Sequence, residues 1–277
     1  MRHRLARAGA RLFPVALIVA VAVTLVFLAL PVIVIFTDVS PKELIDSLDD
    51  DTTVDALKLS LQTTLTALVI ILVIGTPVAW ALATRRFRGK QILETIIELP
   101  LVMPPAVAGI GLLAALGPKG ILGPALDSLG ITLVFQTAGV VVALTFVASP
   151  FYLRQAQAAF STLDRSLLEA SRTLGASEAR TFGRVACPVA FPSLLSGAAL
   201  AWGRALGEFG ATLVFAGSFQ GVTQTAPLAI YAQFGTNFPG ALALAAVLVA
   251  FSVAILGGVK LLGRFGDRTR VQRAGVL

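Results

Sequence analysis

The chain reads as an all-α membrane protein with six transmembrane helices. Three observations predict this: an apolar composition, apolar blocks of spanning length, and basic residues gathered in alternate loops. Of 277 residues, 56% are hydrophobic and only 13% charged, with a mean hydropathy of +0.87. A soluble domain carries about 25% charged residues, so this chain lacks the polar surface such a domain needs. Crossing a bilayer takes about 20 apolar residues in a helix. With no water in hydrocarbon to satisfy them, backbone polar groups pair within the segment, which makes each span a helix.

Six blocks meet the length requirement: Leu12–Phe36, Leu57–Thr84, Ile92–Leu116, Thr132–Leu153, Leu194–Ala216 and Ala241–Leu262. The first follows a basic stretch and superficially resembles a signal peptide. A cleavable apolar core is about 7–15 residues, and this run is about 25, so an uncleaved first helix is expected. His3, the sole histidine, sits in the basic end as a solvated residue. The second block runs from Leu57 to Thr84. The third carries Pro100 and Pro104-Pro105, whose missing backbone bonds bend or break a helix. Such a bend is consistent with lining a cavity and with a static kink alike. The fifth contains Arg204 and Glu208 near its middle, and the sixth leads into a basic tail.

Charge orients these spans. Arg2, Arg4, Arg7 and Arg11 precede the first block; Arg85, Arg86, Arg88 and Lys90 follow the second. Arg154, Arg165, Arg172, Arg180 and Arg184 lie between the fourth and fifth, and Lys260, Arg264, Arg268, Arg270 and Arg273 end the chain. By the positive-inside rule all four sites are cytoplasmic, as are both termini. The opposite side has Lys42, Lys58 and Lys119 against Asp38, Glu43, Asp46, Asp49, Asp50, Asp51, Asp55 and Asp127. The net charge of +7 and the pI near 10.3 are thus a topology signal that also suits anionic lipid headgroups, and they give no reason to expect a nucleic-acid partner.

Other classes of function find little support. Cys187 is the only cysteine, which excludes an internal disulfide and a multi-cysteine metal site; it reads as a packing residue. No loop exceeds about 40 residues, too short for a folded soluble domain. The nearest approach to a phosphate loop, Gly89-Lys90, has Thr84 where the earlier glycine is needed and Gln91 in place of Ser or Thr. Neither His-Glu-x-x-His nor Gly-x-Ser-x-Gly occurs. An intramembrane enzyme would need a nucleophile with its base or a metal cluster in the spans, and none is present. A stand-alone secondary carrier would show inverted repeats or several intramembrane acids, whereas Glu208 is the one acid clearly in mid-span. Energy for any work must come from elsewhere.

The segment from Arg154 to Pro188 is the longest on the basic side. Leu163, Leu167, Ala170 and Leu174 recur at helical spacing, Asp164 is placed to cap that helix, and Gly175 to end it. A second short helix begins at Ser177, with Ala179, Phe182 and Val185 as its apolar members, and Pro188 closes it. Such a helix-turn-helix needs a cover for its apolar face, either the lipid surface or a partner protein.

The order Glu169-Ala170-Ser171, Gly175, Val185 and Pro188 resembles the loop of permease subunits of ABC importers, with Ser171 in place of the usual second Ala and Cys187 in place of the usual Leu. The string Arg204-Ala-Leu-Gly-Glu-Phe-Gly-Ala-Thr212 and the run Gly221–Tyr231 are similar to the molybdate branch of that family. The likeness covers about Leu57 to Leu262, the core of a single transmembrane permease domain over 1–277, with a cytoplasmic amino terminus at 1–11, a coupling loop at 154–188 and a cytoplasmic tail at 263–277. It implies the type I ABC importer fold in the inner membrane, with Glu169, Ala170, Ser171, Gly175 and Pro188 in a cytoplasmic coupling helix between spans 4 and 5. It also implies partners: two copies of an ATPase subunit, an external oxyanion-binding protein and a second copy of this chain. No cofactor is expected on this chain, ATP and magnesium belonging to the ATPase. Sulfate or thiosulfate and tungstate are the alternative cargoes.

In the fifth span Arg204, Glu208 and Thr212 are path candidates. A charge at the bilayer centre costs about 2.5–3.5 kcal/mol on insertion scales, so such residues are rarely idle. Arg204 and Glu208 lie four apart, so a purely structural ion pair is the competing reading. Gly203, Gly207 and Gly210 give that helix one smooth face, for packing within the subunit or for a dimer seam. Pro104 and Pro105 are expected to shape helix packing in the third span. The last external loop, with Gln220, Thr223, Gln224, Thr225, Gln233 and Asn237, is polar but uncharged, which suits a docked protein as well as plain solvation.

Overall fold

Helix α2 (Asp51–Thr84) starts where the carboxylate of Asp50 accepts the Thr53 N–H at 3.1 Å, satisfying one of the donors that a helix start leaves bare. The computed structural model describes residues 2–40, 42, 45–46 and 50–274, with the side chains of 2–12, 256 and 259–274 outside the description. Glu43 and Asp49 of the acidic side, and the basic groups of the two chain ends, therefore lie outside the described residues or side chains. Among the described residues every regular element is helical. Among the described residues helix α1 (Arg2–Thr37) packs mainly along α11 (Phe238–Ala274), and most of its apolar side chains from Phe13 onward are exposed, as befits a helix in lipid.

At the centre stands α6 (Thr137–Ser161), which packs against α2 and against α8 (Glu178–Leu206). Between them lies the main core, with Ile71, Trp80, Leu144, Tyr152 and Leu194 buried. The three helices approach closely through small residues: a Cβ on Gly75 would sit 3.0 Å from the Tyr152 ring, and one on Gly197 3.0 Å from Gln155. Several polar groups inside the bundle find partners, with Thr76 Oγ1 2.6 Å from the Tyr152 hydroxyl and Trp202 Nε1 donating to Thr64 Oγ1 at 3.0 Å.

The third predicted span is two helices, α3 (Lys90–Val102) and α4 (Pro105–Leu116), bent by 120° at a break beside Pro104. Pro104 and Pro105 cause it, because neither has an N–H to continue the ladder, and Pro105 occupies the first turn where that loss is harmless. The pair still advances from one end of the bundle to the other: Glu94 meets Gln157, Glu98 meets Arg154, then Ala108 and Leu112 pack with Ala143 and Val147. Counted as one broken span, it makes with the five unbroken candidates the six expected.

The fifth span differs more. Its helix begins at Glu178, not Leu194, and Pro188 does not close a separate short helix but lies inside α8. A π turn over Phe182–Ala186, in which the Cys187 N–H bonds to the Phe182 carbonyl, widens the backbone just ahead of Pro188. The proline ring would clash with the carbonyl four residues back, and the wider turn removes the clash. The loop outside the bundle is correspondingly shorter than 154–188. It spans only from the end of α6 at Ser161 to the start of α8, and contains α7 (Arg165–Thr173). At its other end α8 stops at Leu206, and a further short helix, α9 (Gly210–Ala216), follows. The chain then passes through α10 (Ala226–Phe234) into α11, packed on α2 through Ala56, Ala226, Ala229 and Leu244. A short helix, α5 (Gly123–Ser128), lies in the loop between α4 and α6.

Candidate functional site

The described loops sort into two ends, as their charges predict. At the basic end Arg85 makes two bonds of 2.9 Å to the Glu178 carboxylate, and Arg154 reaches Glu98 at 2.9 Å, tying the α2–α3 turn, α3, α6 and α8 together. At the other end Gln220 donates to Thr52 Oγ1 at 3.1 Å, and Thr137 Oγ1 donates to the Val222 carbonyl at 2.8 Å. The polar segment around Gln220, Thr223 and Gln224 thus lies over the start of α2.

Helix α7 stands at the basic end. Asp164 caps it, its carboxylate accepting the Ser166 N–H at 2.9 Å, and that backbone bond holds the Asp164 carboxyl below its usual range. Gly175 follows with φ +78°, the left-handed stop that glycine adopts without strain. Ser171 turns inward, its Oγ 3.0 Å from Thr181 Oγ1 at the start of α8, and Leu163 and Leu168 pack onto the main core. Beneath them Trp80, Phe160 and Phe182 form an aromatic cluster with ring centroids 5.4–6.1 Å apart. Braced on that side, α7 leaves Leu167, Ala170 and Leu174 bare on the other, with Leu174 87% exposed. Glu169 and Gly175 are also exposed, and so is Pro188, which belongs to α8. The sequence motif therefore resolves into an outward apolar stripe on a fixed short helix, plus a proline that shapes the joint.

The second set of predicted residues meets at the break between α8 and α9. Arg204 lies in the last turn of α8, level with the middle of α2 through the Trp202–Thr64 bond. Glu208 is not in a helix, contrary to the expectation of one continuous span. It sits in the break and is 1% exposed, with Oε1 accepting the Ala211 N–H at 2.8 Å and Oε2 2.6 Å from Arg204 Nη2. That second contact is an ion pair without the alignment of a hydrogen bond. Each charge also faces the favourable helix end, the carboxylate at the start of α9 and the guanidinium at the end of α8. Thr212 is fully buried in α9, its hydroxyl without a hydrogen-bond partner.

The three glycines do not form one face, because the break separates them. Gly210 packs within the chain, where a Cβ would come 2.9 Å from Pro105 Cβ, while Gly109 of α4 lies as close to Val214 and Ala211 of α9. A Cβ on Gly203 would meet nothing within 4 Å, and one on Gly207 only its own helix, so that side of α8 is open beside Arg204. Beyond it Gly207, Phe209, Pro227, Ile230, Tyr231 and Phe234 line a shallow apolar hollow. Sequence reasoning missed the break; the signal was three glycines in eight residues flanking a buried acid.

Residues 73–265 match the pattern of the family described as binding-protein-dependent transport system inner membrane component. The chain is 39% identical over 246 residues to the molybdenum transport system permease protein ModB of Mycobacterium tuberculosis, covering 89% of this chain and 93% of that one. It is 36% identical over 201 residues to the probable sulfate transport system permease protein cysT of Chlorokybus atmophyticus, covering 72% and 70%. Among solved structures it resembles a bacterial ABC transporter involved in the import of the acidic polysaccharide alginate, with TM-score 0.74, 17% identity, and 94% and 98% of the two chains covered.

Proposed function

The chain belongs to the binding-protein-dependent transport system inner membrane component family, and on that premise we propose that it forms the translocation path of an ATP-driven importer of molybdate. It is a multi-pass transport component of the inner membrane. The observation that carries the reading is α7: a short, capped helix outside the bundle, half-buried on one side and apolar and bare on the other. Such a stripe suits a groove on a partner protein, since a helix held only by lipid needs no hydroxyl bond or aromatic bed behind it.

In this reading two copies of an ATPase subunit, a separate chain that holds ATP and magnesium, seat the α7 helices of two copies of this chain. Both termini and α7 face the cytoplasm, by the distribution of arginine and lysine. Closure of the ATPases on ATP pushes α7, and the push passes through Leu168, Ser171 and the aromatic cluster into α2, α6 and α8. The spans swing from inward-open to outward-open, an external binding protein delivers the oxyanion, and hydrolysis returns the assembly for release inside. Arg204 lies beside the open face of α8 in mid-membrane, so two copies bring two guanidinium groups to a central path. Its pairing with Glu208 keeps that charge soft, which suits passage rather than retention.

Molybdate is favoured over sulfate by the greater identity and coverage of the molybdenum permease. Uptake of labelled molybdate by cells carrying this chain with its ATPase and binding protein tests the reading. Block by excess tungstate and not by sulfate is the expected result; block by sulfate, or no molybdate uptake, assigns the chain to a sulfate or thiosulfate importer instead.

A further inference from the structure

We propose that the crevice between the end of α2 and the inner face of α7 binds a tetrahedral oxyanion, either the headgroup phosphate of an anionic lipid or a free oxyanion on that side of the membrane. Two adjoining hollows make the crevice, and Arg86 and Arg172 line both. The first, about 700 Å³, adds Arg85, Phe87 and Glu178; the second, about 380 Å³, adds Arg165, Leu168 and Glu169 among others.

Charge bookkeeping isolates three of these arginines. Arg85 is committed to Glu178, as Arg154 is to Glu98 and Lys90 to Glu94, each within 4.0 Å. Arg86, Arg165 and Arg172 have no such carboxylate among the described residues, and Glu169 is the one acid of the second hollow. Three arginines lining one crevice repel, and an anion among them offsets the repulsion. Guanidinium forks match the paired oxygens of phosphate-like groups, and basic hollows between helices at the membrane surface are where headgroups settle.

The register of α7 sets where the arginines point. Arg165, Leu168 and Arg172 fall at i, i+3 and i+7, and Leu168 packs onto the core, so this face looks toward the bundle. Leu167, Ala170 and Leu174 look the other way. The crevice therefore lies behind the docking stripe, and an occupant would tie α7 to the end of α2. The site stands whatever the importer carries, because its test reads binding.

The full-length chain, purified in detergent and stripped of lipid, is exposed in one arm to phosphatidylglycerol or phosphatidylcholine and assayed for retained lipid by native mass spectrometry. In the other arm it is titrated calorimetrically with inorganic phosphate and with molybdate. Saturable binding is expected in at least one arm, phosphatidylglycerol retention pointing to a headgroup and phosphate or molybdate binding to a free oxyanion. The double variant Arg86→Gln/Arg172→Gln should weaken that binding by about tenfold or more, and Arg165→Gln alone, a milder change that spares the fold, by a smaller factor. Arg88→Gln, outside the crevice, should leave it unchanged. No saturable binding in either arm overturns the proposal, as does an equal loss in Arg88→Gln, which would mean diffuse attraction to a basic surface.

Discussion

Removing the Glu208 side chain takes two things from the break in the fifth span at once. Glu208→Ala leaves the Ala211 N–H without its acceptor at 2.8 Å and leaves Arg204 without its partner at 2.6 Å. A buried donor left bare costs about 1–3 kcal/mol. An unpaired arginine at mid-membrane costs about 2.5–3.5 kcal/mol on insertion scales, and since the Arg204 side chain is 27% exposed the lower figure applies. Together these give a loss of about 3.5–5.5 kcal/mol. Glu208→Gln keeps an acceptor for Ala211 and loses only the charge, so it should cost about 2.5 kcal/mol. Arg204→Met/Glu208→Gln discards both charges and should return to within about 1 kcal/mol of the parent. Reversible unfolding of the purified chain in mixed detergent, measured on the parent, Arg204→Met, Glu208→Gln and the double, gives the coupling directly, with Glu208→Ala reporting on the cap. A double variant as unstable as Glu208→Gln would refute charge compensation, and equal losses in Glu208→Ala and Glu208→Gln would refute the cap. The same double variant, correctly assembled, separates structure from transport: retained uptake means the pair only balances itself, and lost uptake gives Arg204 a part in the path.

Four other changes probe α7 and the packing beneath it. Leu174→Asp, on a side chain that packs on nothing, should leave unfolding unchanged and abolish co-purification of the ATPase; Glu169→Ala should weaken it, and normal assembly with normal transport in both would remove α7 from the docking surface. Gly175→Ala must adopt φ +78° in open space, so strain of about 1–2 kcal/mol without a clash should loosen the end of α7 and reduce assembly, read by the same co-purification. Trp80→Ala empties the aromatic bed under α7 and should lower stability by about 3–5 kcal/mol, as measured by the unfolding midpoint; a loss below about 1 kcal/mol would show that the bed is not a packed unit.

Periodicity was sufficient for α7 because everything that defines it is local. Asp164 two residues before Ser166, leucines on a helical repeat and a glycine at the stop act within one or two turns, so their order in the chain is their order in space. Pro188 misled for the opposite reason. A proline normally closes or kinks a helix, and only the packing of Phe182 between Trp80 and Phe160 together with the widened turn lets the helix run on. The same holds at Glu208, where spacing of four is helical in the sequence and the break becomes visible only through the Ala211 bond.

Composition, block length and the placement of arginine and lysine thus determined by themselves that the chain is a bundle of spanning helices with two unlike ends, since transfer from water to lipid depends on what a segment contains more than on what it touches. Tertiary structure decided where those helices break, which face of α7 stays bare, and which arginines remain without a carboxylate. Those outcomes are set by side chains far apart in the chain, such as Arg85 and Glu178, Gly210 and Pro105, or Arg86 and Arg172, whose proximity no local pattern encodes.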